Sequence, residues 1–295
     1  MAKAKKGPNI REFNKRFPDE DTCLAHLMRV RFGERLTCFK CHKEATYYRV
    51  KKRRSFECEH CGYQIYPTAG TPFESTRTPL RDWFYVMYLF CASRNGVAAK
   101  EVERQLGVTY KTAWRMCKLI RDYMGYVDGD FPIGGSGGGI VEADETFIGG
   151  KDRRGEDDKA IVLGMIERNG DIITRVVQSR HADVLLPHIA RHVEPGSRIV
   201  TDELAGYRSL TERHGYRHET VNHEAKEYVR GDAHTNTIEA FWANLKRGIK
   251  GTYVHVSKKH LPSYLREFEY RHNLRHAPYL MFDCLLAAFP KVRVE

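Results

Sequence analysis

Ile140-Val141-Glu142-Ala143-Asp144-Glu145-Thr146-Phe147-Ile148 alternates in a way that reads as a β-strand. Val141, Ala143 and Phe147 fall out of phase with Asp144, which puts that carboxylate on the face opposite the strand's apolar side chains. Two further β-rich runs, Lys159–Glu167 and Asp171–Gln178, flank Asn169-Gly170, a dipeptide suited to a tight hairpin. His181–Val193 then places Val184, Leu185, Ile189 and Val193 at helical spacing, and Pro195-Gly196 stops it. Arg198–Thr201 is a short strand ending at Asp202. A helix over about 204–214, a strand over about 216–222 and a long helix from about 235 follow. The order β-β-β-α-β-α-β-α predicts a mixed sheet with helices packed on it.

Outward from this region the composition changes sharply. Residues 125–139 are rich in glycine and predict a flexible linker without a regular element. It separates a catalytic candidate, 140–275, from what precedes it: N-terminal helices in 1–34 (about 10–16 and 19–32), a cysteine cluster in 35–70 and a helical run over 79–124. Residues 276–295 predict a C-terminal helical tail. The class is therefore α+β or α/β multidomain.

Cys38-x2-Cys41 and Cys58-x2-Cys61, sixteen residues apart, are spaced to place four thiolates around one structural Zn2+. Tyr47-Tyr48-Arg49-Val50 and Ser55-Phe56 predict a zinc-ribbon hairpin, with Lys51, Lys52, Arg53 and Arg54 as a basic tip offered to phosphates. His42 and His60 are alternative ligands, the all-thiolate set being favoured. A net charge of +11 and a pI near 9.2 favour a polyanionic partner. No apolar run approaches the roughly 18–20 residues of a bilayer span, and the basic N-terminus lacks a signal peptide's apolar stretch. A cytoplasmic protein is expected, its remaining cysteines buried thiols rather than disulfides.

Ala98–Leu106 and Thr109–Met124 are two helical runs joined by Gly107-Val108, as in a helix-turn-helix. Thr109, Tyr110, Lys111, Thr112 and Arg115 would face double-stranded DNA from the second helix, with a helix over about Leu80–Ser93 completing the three-helix unit. Two strand carboxylates, Asp144 and Asp202, and a third group near the start of the long helix suit two-metal phosphoryl transfer, in which hard oxygen ligands hold two Mg2+ ions about 4 Å apart. Glu239, Trp242 and Lys246 fall on one side of that helix, with Asn236 a turn before Glu239. Ordinary surface acidity is the competing reading of these carboxylates.

A resemblance then weighs on the choice. Gly70-Thr71-Pro72-Phe73, Thr78 through Phe84, Gly107 through Met116, Glu142 through Lys151, Thr201-Asp202-Glu203 and His234 through Gly248 resemble DDE transposases of bacterial insertion sequences related to the Merlin elements. So do Gly251-Thr252-Tyr253, Ser257, His260-Leu261, Tyr264-Leu265, Glu267-Phe268 and Arg271-His272-Asn273. The resemblance implies an RNase H-like catalytic fold, with Asp144 and Asp202 as ligands of Mg2+ or Mn2+. It leaves the third ligand between Glu239 and Asn236; Glu239 is favoured because a carboxylate suits a hard cation, and Lys246 matches the usual basic partner. Lys40 and His42 depart from the common ribbon pattern, His42 standing where glycine is frequent. The expected function is binding of terminal inverted repeats, cleavage of 3′ ends and strand transfer into target DNA, by a homo-oligomer. A non-catalytic DNA-binding regulator and a structure-specific nuclease are the alternatives.

Overall fold

A computed structural model describes residues 7, 9–135, 137, 139–150, 159–221 and 232–291. Lys151, two residues of the expected linker and the end of the strand expected over 216–222 lie outside these. The chain divides into two compact units, one running up to Val127 and resumed from His276, the other spanning Asp128–Arg275.

The first unit opens with α1 (Ile10–Arg16) and α2 (Glu20–Phe32). Asn9 and Glu12 form a reciprocal capping box on α1, and the Asp19 carboxylate accepts from Thr22 N–H to cap α2. Strands β1 (Leu36–Thr37) and β2 (Glu44–Ala45) pair antiparallel, and β3 (Tyr47–Val50), β4 (Ser55–Cys58) and β5 (Gln64–Ile65) form a three-stranded sheet. Helices α3 (Leu80–Ala92), α4 (Ala99–Leu106) and α5 (Tyr110–Asp128) follow. Gly107, at φ 66° and ψ 19°, closes α4 in the left-handed conformation that glycine adopts without penalty.

Aromatic side chains fill the core of this unit. Phe13, Phe17, Phe73, Trp83, Phe84 and Tyr123 are fully buried. The C-terminal helix Pro278–Ala288 is no free tail: it packs on α3, bringing Phe282 against Phe13 and Phe17, while Phe289 just beyond it stacks on Tyr123 at 3.9 Å between ring centroids. Its apolar residues have nowhere else to be buried, and burying each large ring is worth more than the helix could gain alone in water.

In the second unit the sheet is built from β7 (Ile140–Ile148), β8 (Ala160–Glu167), β9 (Ile172–Val177), β11 (Arg198–Thr201) and β12 (Arg217–Thr220), in the spatial order β12-β11-β7-β8-β9. Strands β7, β8 and β9 run antiparallel in succession, whereas β11 and β12 are parallel additions on the other edge of β7. This is the mixed sheet expected from the element order. Helix α6 (Ala182–His192) covers one face, where Val141, Ala143, Leu163 and Met165 meet Leu185 and Ile189. The opposite face packs Ile148, Val162 and Ile166 against α8 (Asn236–Gly248) and α9 (Leu261–Asn273). Burial on both faces suits the Val/Ile-rich strands. A short helix α7 (Leu210–His214) precedes β12.

Two expectations need correction. Within 125–139, α5 continues to Asp128, and β6 (Ile133–Gly134) pairs in parallel with β10 (Val193–Glu194). Buried Ile133 anchors the segment, and the Gly134 and Gly135 N–H groups donate to Glu167 Oε2 at 3.2 Å and Ser197 Oγ at 2.8 Å. Glycine permits that approach, since a Cβ on Gly134 would stand 2.4 Å from Ser197 Oγ. Phe147 is 46% exposed rather than part of an apolar face, with the Arg180 guanidinium 5.4 Å from its ring centroid.

Candidate active site and zinc ribbon

The four cysteine sulfurs lie within 4.8 Å of one another, with Cys38–Cys61 at 3.6 Å and Cys41–Cys58 at 3.9 Å. A tetrahedron of Zn–S bonds of about 2.3 Å has sulfur–sulfur edges of about 3.8 Å, so the residues fit one Zn2+. Both knuckles share one backbone pattern. His42 N–H donates to Cys38 O at 2.9 Å and Gly62 N–H to Cys58 O at 3.0 Å, while the Cys38 and Cys58 N–H groups reach back to Lys43 O and Tyr63 O. The shared turn needs a positive φ, 66° at Gly62 and 57° at His42. His42 thus takes the glycine conformation with a Cβ in place. His60 Nε2 contacts Glu44 O at 3.3 Å, and neither histidine joins the sulfur cluster.

At the ribbon's turn Lys51, Lys52 and Arg53 are exposed, and Arg53 also donates to Gln64 Oε1 at 3.3 Å. Arg54 is committed within the unit: its guanidinium donates to Glu20 Oε1 at 2.9 Å and to Thr76 O at 3.3 Å. In the helix pair, Thr109 Oγ1 accepts from Thr112 N–H at 3.3 Å and so caps α5. Tyr110 and Lys111 are exposed, and Thr112 is partly so. The Lys100 ammonium lies 4.9 Å from the Tyr110 ring centroid, and exposed Arg115 lies 5.6 Å from that of Trp83.

In the second unit, Asp144 lies in the middle of β7 and Asp202 just past the end of β11. Val200 of β11 pairs with Glu142 of β7 in the parallel ladder, and two residues further along each strand lie Asp202 and Asp144. Neighbouring parallel strands therefore bring the two carboxylates together. Burial, reinforced by the negative charges of Glu145 and Asp202, pushes the Asp144 carboxyl up to about 7. Glu145 faces the other way from Asp144. Tyr207 O–H donates to Glu145 Oε2 at 2.6 Å and Arg180 Nη1 stands 3.5 Å from Oε1; burial still pushes this carboxyl upward. The Asp144 and Asp202 carboxylates, crowded on adjacent inner strands, are donors suited to hard divalent cations.

Helix α8 lies over Asp144. Trp242 Nε1–H donates to Asp144 Oδ2 at 2.9 Å. Glu239, three residues earlier, is about 60° around the helix from Trp242, Asn236 about 120°, and Lys246 about 40°. All three are exposed, and Glu239 Oε1 accepts from Thr235 Oγ1 at 3.0 Å. Among the described residues, Asp144, Asp202 and Glu239 do not close into a set with all ligand atoms within 4.8 Å; the four cysteines alone do.

Three residues without an expected role hold this arrangement. Glu142 is 0% exposed, and its carboxylate accepts from Thr237 N–H at 2.9 Å, Ile238 N–H at 3.0 Å, Thr237 Oγ1 at 2.9 Å and Arg168 Nε at 2.6 Å. A strand carboxylate thus caps the N-terminus of α8, where the helix dipole favours negative charge. Arg168 also donates to Asp232 O and His234 O, fixing the approach to α8. Gly164 stands directly across β8 from Asp144 and leaves room for the Trp242 ring, which a Cβ there would meet at 2.6 and 2.7 Å. One signal in the sequence pointed to Glu142: it is in phase with Asp144, two residues away on the same strand face.

Comparison with known proteins agrees with this geometry. Residues 137–273 match the ISXO2-like transposase domain and residues 18–64 the transposase zinc-ribbon domain. The chain is also 27% identical to an "Uncharacterized protein in transposable element ISH50" from Halobacterium salinarum, across 90% of this chain and 94% of that protein.

Proposed function

We propose that this transposase, in which a zinc ribbon precedes an ISXO2-like transposase domain, binds the terminal inverted repeats of its element, cuts their 3′ ends and joins them to target DNA. The proximity of Asp144 and Asp202, each two residues beyond the last ladder pair of two adjacent parallel strands, with Trp242 of α8 bonded to Asp144, carries this reading. Asp144 and Asp202 would hold Mg2+ or Mn2+, with Glu239 as the third ligand because it lies nearer than Asn236 to the Trp242 side of α8. Bound cations supply activation of the attacking oxygen and stabilisation of the leaving one.

The protein's own groups orient the reaction. Trp242 ties up one Asp144 oxygen and leaves the other available. Glu142 fixes α8 and thereby the placing of Glu239 and Lys246. Lys246 neutralises phosphate beside the scissile bond. Water attacks the phosphodiester at the element's end and the P–O bond to the element's 3′ oxygen breaks, releasing a 3′-hydroxyl. That hydroxyl then attacks a target phosphodiester, forming a new P–O bond as the bond to the target strand's own 3′ oxygen breaks and that oxygen leaves as a hydroxyl. Lys51, Lys52 and Arg53 contact phosphates, and Tyr110, Lys111 and Arg115 present the helix pair to the duplex. Two ends joined in one event call for at least a dimer.

The test is cleavage and strand transfer of labelled element ends in Mg2+. Asp144→Asn should lose both by more than about 100-fold while still binding the ends; an Asp144→Asn variant that cuts and joins normally would sink the assignment. Cutting without joining by the native chain would favour a nuclease.

A further inference from the structure

Beyond α8 the chain makes a π-helical turn, Ile249–Tyr253, and then a γ-turn in which His255 N–H donates to Tyr253 O at 2.7 Å. Val254 is the central residue, at φ 64° and ψ −53°. For a β-branched residue this is an outlier, and backbone strain of this kind persists only where the surroundings over-determine it. They do so here. Tyr253 O–H donates to Glu267 Oε1 at 2.6 Å, its ring meets Tyr264 edge-on at 4.7 Å, and Val256 is buried in the core beside α8 and α9. Yet Val254 itself is 81% exposed. The strain therefore brings no burial; it holds an apolar tip rigidly in solvent.

Its setting is cationic. Residues 240–266 contain no Asp or Glu but carry Lys246, Arg247, Lys250, Lys258, Lys259 and Arg266, all six exposed. An apolar point in a basic field fits a polyanion that also offers an apolar interior, and the stacked bases of DNA are one. We propose that Val254 is a wedge that enters the base stack of the bound element end, opening one base step beside the phosphates that the basic end of α8 approaches. The inference rests on the transposase reading above and adds to it a residue that distorts the duplex.

The experiment uses the full-length, zinc-loaded chain and element-end duplexes in which 2-aminopurine is moved step by step through the terminal base pairs, without Mg2+. Native protein should brighten one position severalfold. Val254→Gly should lose that brightening and keep duplex affinity within about threefold, because phosphate contacts dominate affinity. Its Tm should stay level or rise by about 2 °C as the strain is relieved. Val254→Leu should keep the signal. Binding without brightening at any position, or brightening retained by Val254→Gly, would overturn the wedge alone. Failure of the native chain to bind any duplex would overturn the wedge and the transposase reading together.

Discussion

Gly164→Ala tests how closely Trp242 is held over Asp144. The new Cβ would stand 2.6 and 2.7 Å from Cζ2 and Cη2 of Trp242 and 3.1 Å from Ile238 Cδ1. Reaching an ordinary carbon–carbon separation of about 3.5 Å requires the ring to retreat by about 0.9 Å. The indole N–H, now 2.9 Å from Asp144 Oδ2, would then lie beyond hydrogen-bonding reach. Overpacking costs about 1–3 kcal/mol and a lost bond to a charged group about 1.5–3 kcal/mol. Replacing a strand glycine returns about 0.5–1 kcal/mol. A net loss of about 1.5–5.5 kcal/mol is expected in urea unfolding followed by circular dichroism, and on the proposed reading cleavage should need a higher Mg2+ concentration. The clashing atoms belong to the six-membered ring of the indole, so Trp242→Phe should relieve much of the clash. In a double-mutant cycle the two substitutions should couple by more than about 1 kcal/mol. Additivity within about 0.5 kcal/mol, or a Gly164→Ala protein of native stability, would refute the reasoning.

Glu142→Ala would strand Arg168 and the first N–H groups of α8, and should destabilise the second unit by about 3–5 kcal/mol, as breaking a buried ion pair does; chemical denaturation measures it, and Glu142→Gln should cost less. His42→Gly should stabilise the zinc-loaded protein by up to about 1 kcal/mol, read as a higher melting temperature, and slow zinc loss to a chelator, because glycine takes the positive φ freely. His26 is pushed down to about 4 by burial, helped by Arg16 and Arg29. A histidine that stays neutral when folded contributes stability that is complete above about pH 6.5 and is lost as the pH falls toward 4. The first unit should lose on the order of 3 kcal/mol across that window, and an acid titration of His26→Leu should show a shallower loss.

The features legible in the sequence were those governed by local rules. The C-x2-C spacing and the Asn169-Gly170 turn depend on neighbours a few residues away, and the alternation of β7 separates Val141 and Ala143 from Asp144 within a single strand. What stayed hidden depends on distant partners. Glu142 resembles a solvated acid until Arg168 and the start of α8 close around it. Gly164 carries no sign of the ring it admits. Ile133 lies in a stretch whose glycines suggest a loose linker, yet the ladder to Val193, the Glu167 carboxylate and the Ser197 hydroxyl hold Ile133, Gly134 and Gly135 in place. Phe147 shows the converse: periodicity assigns it a face but not whether anything covers that face.

The helix Pro278–Ala288 has a consequence for how the molecule is made. Phe282 and Phe289 belong to the first unit's core yet are separated from the rest of it by the whole of Asp128–Arg275. Synthesis proceeds from the N-terminus, and earlier segments ordinarily fold first. Here the ribbon and its helices must wait with Phe13, Phe17, Phe73 and Tyr123 partly uncovered until the second unit has been translated. A product cut short before residue 278 would carry the ribbon and its helices on an unfinished core, and so should be less stable than the full-length protein.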